Sequence, residues 1–182
     1  MILAFTGAGI SKDSGINTFM EMPEVRDRLY RTFATAHPHE YQETIRDLVN
    51  AVKNAEPNDA HRALAEYKIP IITMNIDGLH ERAGSTQVLE VHGVLPSEDE
   101  IEYAHELFHK PVLYGDPAPN YAKAIQKVSK LESGDILLVI GASRYTQIAV
   151  QIREIAYMNG ANIIEIQDDA TSKVRDFLSR NA

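Results

Sequence analysis

Short runs that are apolar at successive positions, and therefore on both faces of an extended strand, constrain the fold of this chain more than any other feature. Ile2–Thr6, Ile69–Met74, Gln87–Val91, Val112–Tyr114, Ile136–Ile140 and Asn162–Ile166 read as strands of this kind. Strands apolar on both faces belong in a parallel sheet covered on each side. Between them, residues 24–35, 38–54, 59–67, 96–109, 119–131, 147–159 and 171–180 have helical periodicity. Strand and helix in alternation predict an α/β fold, a doubly wound, Rossmann-like parallel sheet of about six strands.

Punctuation agrees with these boundaries. Pro38, Pro57, Pro96 and Pro119 stand at or just before helix starts, and Gly134 and Gly160 each follow a helix and precede a strand. No linker, repeat or low-complexity tract divides the 182 residues, so we expect one domain. The helical block between the first two strands exceeds an ordinary crossover, which predicts a small helical subdomain over about residues 20–68, placed to close on a ligand.

Composition removes several functions. The chain has no cysteine, hence no disulfide, thiolate zinc site or cysteine nucleophile. Its net charge is -8 and no Lys/Arg cluster could track a phosphate backbone, so nucleic acid is not an expected partner. No apolar run approaches the ~20 residues of a membrane span, and the start Met-Ile-Leu-Ala-Phe-Thr lacks a basic leader, which predicts a soluble cytoplasmic protein.

The first strand runs into Thr6-Gly7-Ala8-Gly9-Ile10-Ser11, a glycine turn that should open a helix and bring backbone N–H groups to a pyrophosphate. Lys12 stands where the ordinary dinucleotide fingerprint has a third glycine, so glycines kept for packing alone are the competing reading. A second turn, Gly141-Ala142-Ser143, follows the strand Ile136–Ile140, and two such turns could clasp the two ends of a dinucleotide. Asn75, Asp77 and His92 place an amide, a carboxylate and an imidazole at the ends of two other apolar runs. Asn75 and Asp77 equally suit caps for a helix beginning at Gly78, and His61 and His80 read as packing or capping groups.

Taken in order, Gly7-Ala8-Gly9-Ile10-Ser11 with Ser14-Gly15-Ile16 and Phe19, Pro57-Asn58 with Ala60-His61-Arg62-Ala63-Leu64, Asn75-Ile76-Asp77-Gly78-Leu79-His80 with Ala83-Gly84, His92-Gly93, and Gly134-Asp135 leading to Gly141-Ala142-Ser143 resemble the sirtuins, NAD-consuming protein deacylases. The resemblance covers nearly the whole chain, and its block from Thr73 to Gly93 is the most specific. It implies that Gly7, Ala8, Gly9 and Ser11 contact the pyrophosphate region of NAD, and that Ile16, Asn75, Ile76 and Asp77 receive nicotinamide. It further implies that Phe19 covers the reacting ribose, that Gly141, Ser143 and Glu165 lie on the adenosine side, and that His92 is the general base. In sirtuins the acyl-lysine oxygen attacks the nicotinamide ribose, nicotinamide leaves, and the acyl group passes to ADP-ribose. Asp77 suits that chemistry, since positive charge develops on the sugar, and an unperturbed imidazole can accept a proton at neutral pH.

The chain also departs from that pattern. Asn17, Thr18 and Met20 stand where proline, aspartate and arginine are usual, Met74 replaces a glutamine, and Glu165 an asparagine. Between Gly93 and Pro111 the resemblance leads us to expect a zinc ribbon with four cysteines; only Val94–Lys110 lies there, which reads as one acidic helix and predicts no bound zinc. His105-Glu106-Leu107-Phe108-His109 fits the zinc-protease pattern with both imidazoles on one helical face, but Pro111 ends the helix and no third ligand follows at the expected spacing. His37-Pro38-His39-Glu40 reads as a helix start. Tyr114, Gly115 and Asp116 resemble the substrate-binding loop, where a peptide strand could add through its backbone. The expected function is NAD-dependent lysine deacylation of a protein or peptide. NAD glycohydrolysis, ADP-ribosyl transfer and NAD or ADP-ribose binding without turnover are the alternatives.

Overall fold

A computed structural model describes residues 1–16 and 22–182. The expectations for Asn17, Thr18, Phe19 and Met20 therefore lie outside the described residues. Five parallel strands, β1 (Ile2–Thr6), β2 (Ile71–Thr73), β3 (Val88–Glu90), β4 (Ile136–Ile140) and β5 (Asn162–Ile166), form one sheet in the order β3-β2-β1-β4-β5. The chain winds outward from β1 to β3 and then returns across β1 to β4, so the strand order reverses beside β1. Open α/β sheets bind their ligands at this crevice, at the carboxyl ends of the strands.

The helices are α1 (Pro23–Asp27), α2 (Arg31–Ala36), α3 (Pro38–Lys53), α4 (Asp59–Glu66), α5 (Leu79–Arg82), α6 (Asn120–Val128), α7 (Gln147–Met158) and α8 (Ala170–Asn181). Alternation along each strand divides the core in two, as side chains of an extended chain point to opposite faces. Leu3 and Phe5 join Leu137, Val139, Ala124, Val128 and Ile152 on the face covered by α6 and α7. Ala4, Ile71, Leu138 and Ile140 pack on the other face with Leu64 of α4 and Val174 and Leu178 of α8. A third cluster joins Tyr41, Ile45 and Leu48 of α3 to Val25, Leu29, Ala34, Ile101 and Leu113. Of the expected helical block, α1 to α3 share this third cluster with residues 101–113, whereas α4 packs on the sheet.

Three expectations need correction. Val112–Tyr114 does not make a sixth strand: it contributes a single bridge, Tyr30 to Tyr114, outside the sheet. The Val112 N–H is held by the His92 carbonyl and the Leu113 N–H by the Asp116 carboxylate, so the segment is pinned as a loop. The helix expected over residues 24–35 breaks into α1 and α2 because Tyr30 turns extended to make that bridge. The acidic stretch expected as one helix over residues 96–109 is a 3-10 helix, Glu98–Glu106, with a non-helical break at Tyr103. Ser97 and Glu100 cap its start reciprocally. His109 lies beyond its end with φ of 65°, so the two imidazoles of the zinc-protease pattern do not share a helical face. The first glycine turn opens a helix as expected, and it is of 3-10 type, Ala8–Ser14.

Candidate active site

The two glycine turns interlock at the carboxyl ends of β1 and β4. A Cβ on Gly9 would lie 2.6 Å from the Gly141 Cα, and one on Gly7 would lie 2.7 Å from the Gly141 oxygen. Gly9 N–H donates to that oxygen at 2.9 Å. Packing between the turns therefore requires both glycines even before a ligand is considered, as the competing reading of the sequence held.

Around this junction runs a directed chain of hydrogen bonds. The Asn58 N–H donates to His61 Nδ1 at 3.1 Å, which fixes the neutral imidazole with its proton on Nε2. Nε2 then faces the Ser11 hydroxyl at 3.4 Å, and Ser11 donates to Asp77 Oδ2 at 2.6 Å. Asp77 Oδ1 accepts from the Leu79 N–H at 3.0 Å, so the carboxylate also caps α5. Burial pushes the Asp77 carboxyl above its ordinary value, and these hydrogen bonds offset it only in part. The capping reading of Asp77 is met by this geometry, which leaves the buried carboxylate beside the glycine turn.

Beside it, Thr6 donates to Thr73 at 2.8 Å and pairs with His80 Nε2 at 2.8 Å. His80 Nδ1 has no hydrogen-bond partner among the described residues. Burial depresses both buried histidines, His61 to about 4 and His80 to about 3. The capping role expected for His61 is the one observed: three residues after Asn58 it completes the capping box of α4, and from there it reaches Ser11.

Asn75 donates to the Gly7 carbonyl at 2.9 Å, tying the exit of β2 to the first glycine turn. Next to it, the Met74 carbonyl lies 3.1 Å from His92 Nδ1. A carbonyl only accepts, so Nδ1 carries the proton and Nε2 presents its lone pair. The Tyr121 hydroxyl of α6 stands 2.8 Å from that Nε2. Burial keeps His92 below its ordinary value, against the opposing pull of the Met74 carbonyl, so the ring is neutral at neutral pH. Among the described residues no hydrogen bond joins His92 to Asp77. Ile76, Asp77 and Gly78 also border an open cleft of about 520 Å³, lined on its other sides by Val49, Val52 and Lys53 of α3 and by Val94–Glu98.

On the other side of the sheet's switch point, Glu165 is held by Arg153 at 2.8 Å, by Gln167 at 2.8 Å and by Arg144. Arg153 also donates to the carbonyls of Ala142 and Ser143. Burial works against the Glu165 charge, but these donors outweigh it and keep the carboxyl below its usual range. Arg153 carries no signal of its own in the sequence, because a lone arginine in an amphipathic helix looks solvated.

Tyr114, Gly115 and Asp116 are organised by Arg31, another residue without a sequence signal. Its guanidinium grips Asp116 through two bonds of 2.8 and 2.7 Å and donates to the carbonyls of His105 and Leu107, both at 2.8 Å. The Phe108 ring lies 4.2 Å from it. The Tyr114 N–H and carbonyl are spent on Leu29 and Arg31, each at 2.9 Å. These two bonds occupy the edge of the segment that faces Leu29 and Arg31. Among the described residues no three His, Asp or Glu side chains gather as a metal site, and no helix is long and apolar enough to cross a membrane.

The Sir2 family model matches residues 7–101. An NAD-dependent protein deacetylase of Thermodesulfovibrio yellowstonii is 34% identical over 201 residues, covering 90% of this chain and 78% of that protein. An NAD-dependent protein deacylase of Thermococcus sibiricus is 33% identical, covering 91% and 79%. The solved structure of a Sir2 homologue in complex with NAD superposes with a TM-score of 0.81 at 25% identity, over 98% of this chain and 88% of the other. A motif series in family order, the five-stranded parallel sheet and these matches agree: the chain belongs to the Sir2 family, the sirtuins.

Proposed function

We propose that this chain is an NAD-dependent protein lysine deacylase, which passes an acyl group from lysine to ADP-ribose and releases nicotinamide. The observation that carries the reading is His92 held by the Met74 carbonyl in the tautomer that makes Nε2 a proton acceptor. The neighbours support it: relatives about a third identical are named NAD-dependent deacetylases and deacylases. NAD, when bound, supplies the ribose carbon and the leaving nicotinamide. On this reading the interlocked turns of Gly7, Ala8, Gly9, Ser11 and Gly141 receive the phosphates. Ile16, Asn75, Ile76 and Asp77 receive nicotinamide, Phe19 covers the ribose, and Ser143 and Glu165 lie toward the adenosine. Asp77 stabilises positive charge on the sugar as nicotinamide departs, and His92 takes a ribose hydroxyl proton. The acyl-lysine peptide approaches the Tyr114–Asp116 loop. Residues 1–182 act as one NAD-binding domain, with the helical block at about 20–68 as an insertion and 94–110 in place of a zinc ribbon. A cytoplasmic location belongs to the same proposal, supported by a cysteine-free composition that suits a reducing compartment.

Incubation with NAD, with and without an acetyl-lysine peptide, tests this. Acyl-ADP-ribose and peptide-dependent nicotinamide release are expected, and His92→Ala should abolish acyl transfer while NAD still binds. One observation favours a second reading, NAD glycohydrolysis: the Tyr114 backbone, where a peptide would add, is already committed to Leu29 and Arg31. Nicotinamide release that is indifferent to peptide would select it.

A further inference from the structure

His92 does not meet the space in front of it directly, because the Tyr121 hydroxyl occupies its one accepting nitrogen. The donor pattern leaves a single arrangement. Nδ1–H is committed to the Met74 carbonyl at 3.1 Å, so Nε2 can only accept, and the partner at 2.8 Å must donate. Tyr121 therefore gives its O–H to His92 and keeps its own oxygen lone pairs for another donor. The rings stand 5.8 Å apart and tilted by 53°. The placement is built rather than incidental. Tyr121 is the second residue of α6, and the preceding Asn120 anchors that helix end by donating to the Glu90 carbonyl at 2.8 Å. Glu90 lies two residues before His92, so the same stretch of chain carries both the base and the anchor of its partner. The ring is partly buried, and its hydroxyl makes no described hydrogen bond other than that to His92.

We propose that Tyr121 is a proton relay between His92 and the hydroxyl group that His92 deprotonates, so that the base of this protein is a tyrosine–histidine pair. The proposal rests on the deacylase reading and names a further residue for it. In the step, the ribose O–H breaks and its proton goes to Tyr121 Oη. The proton already on Oη goes to His92 Nε2. One O–H and one N–H form as two O–H bonds break, leaving an alkoxide, a neutral tyrosine and an imidazolium still held by the Met74 carbonyl. The sequence offered no hint of this, since Tyr121 reads as an ordinary first-turn residue of an amphipathic helix.

Tyr121→Phe removes only the oxygen and keeps the ring. The relay predicts that acyl-ADP-ribose formation falls by about 10²-fold, within the range for lost acid–base catalysis, while NAD affinity and the peptide KM stay within about 2-fold. A proton inventory in mixed H2O and D2O should bow for the parent protein, where two protons move together, and become linear in the variant. Acyl transfer at the parent rate, or faster because a plug has been removed, overturns the proposal. A further readout does not need turnover. By NMR the His92 pKa should rise in Tyr121→Phe, because a donor that favours the neutral ring has gone; an unmoved His92 pKa also overturns it. If the parent protein forms no acyl-ADP-ribose, the deacylase reading fails by itself, and an unchanged His92 titration would separately dismiss the Tyr121 contact.

Discussion

Acidification from pH 7 to pH 5 should weaken this fold steeply, and the two buried histidines beneath the glycine turn set the size of the loss. His61 and His80 are 0% and 1% exposed, and burial holds them near 4 and 3. Their folded values lie below the ordinary 6.5, so between about pH 6.5 and 4 the unfolded chain binds protons that the folded chain refuses. Stability is therefore full above 6.5 and falls as the pH drops through that window. Each proton of difference is worth about 1.4 kcal/mol per pH unit, so the pair contributes about 2.7 kcal/mol per unit. His92, also depressed by burial, adds in the same sense.

Glu81 opposes them. Its carboxyl is raised to about 7, by burial first and then by a hydrogen bond shared with Glu90, so its folded form gains stability as the pH falls from 7 toward 4.5. Glu81 is an exposed residue, however, and solvent screening leaves it less than one proton's full effect. Asp77, raised by burial, acts in the same direction as Glu81 at the lower end of the window. The net slope should lie between about 1.4 and 2.7 kcal/mol per pH unit, and Glu81→Gln should move it toward the upper figure. Urea unfolding at pH 7, 6 and 5, followed by far-ultraviolet circular dichroism because the chain has no tryptophan, measures it. An unfolding free energy that stays flat within about 0.5 kcal/mol from pH 6.5 to 5 in both proteins would refute the reasoning.

Other perturbations probe single contacts. Arg31→Ala strands the fully buried Asp116 side chain and should cost about 3–5 kcal/mol; Arg31→Lys keeps the charge but not the two-pronged grip, so it should recover only part of that in a melting experiment. Gly93→Ala would set a Cβ 2.2 Å from the His109 carbonyl oxygen at a φ of 75°. The loss should exceed about 1 kcal/mol and displace the neighbouring His92 relative to Val112, seen as a changed His92 resonance. Ser11→Ala removes a donor from buried Asp77 and should raise that carboxyl further, at a cost of about 1–3 kcal/mol. The pH dependence of nicotinamide release would report the shift.

Much of this protein was determined by its sequence because the relevant physics is local. Apolar runs at successive positions dictated buried parallel strands; β1, β4 and β5 fall where expected, and β2 and β3 are only trimmed at their ends. Proline at helix starts and glycine after helix ends marked the elements between them. Gly7, Asn75, Asp77 and His92 could be named as candidates because their order along the chain carries the family's signature. What tertiary structure decided depends on partners far away in sequence. Val112–Tyr114 is apolar enough for a strand, yet it is a loop because His92, Leu29, Arg31 and Asp116 use its hydrogen-bonding groups. His61 could be read as a packing or capping group, but its meeting with Ser11, a residue 50 positions away, came only with folding. Tyr121, 29 positions beyond His92, supplies the hydroxyl at its accepting nitrogen. A sequence shows which side chains can donate or accept a proton; which donor meets which acceptor is fixed only when the chain closes.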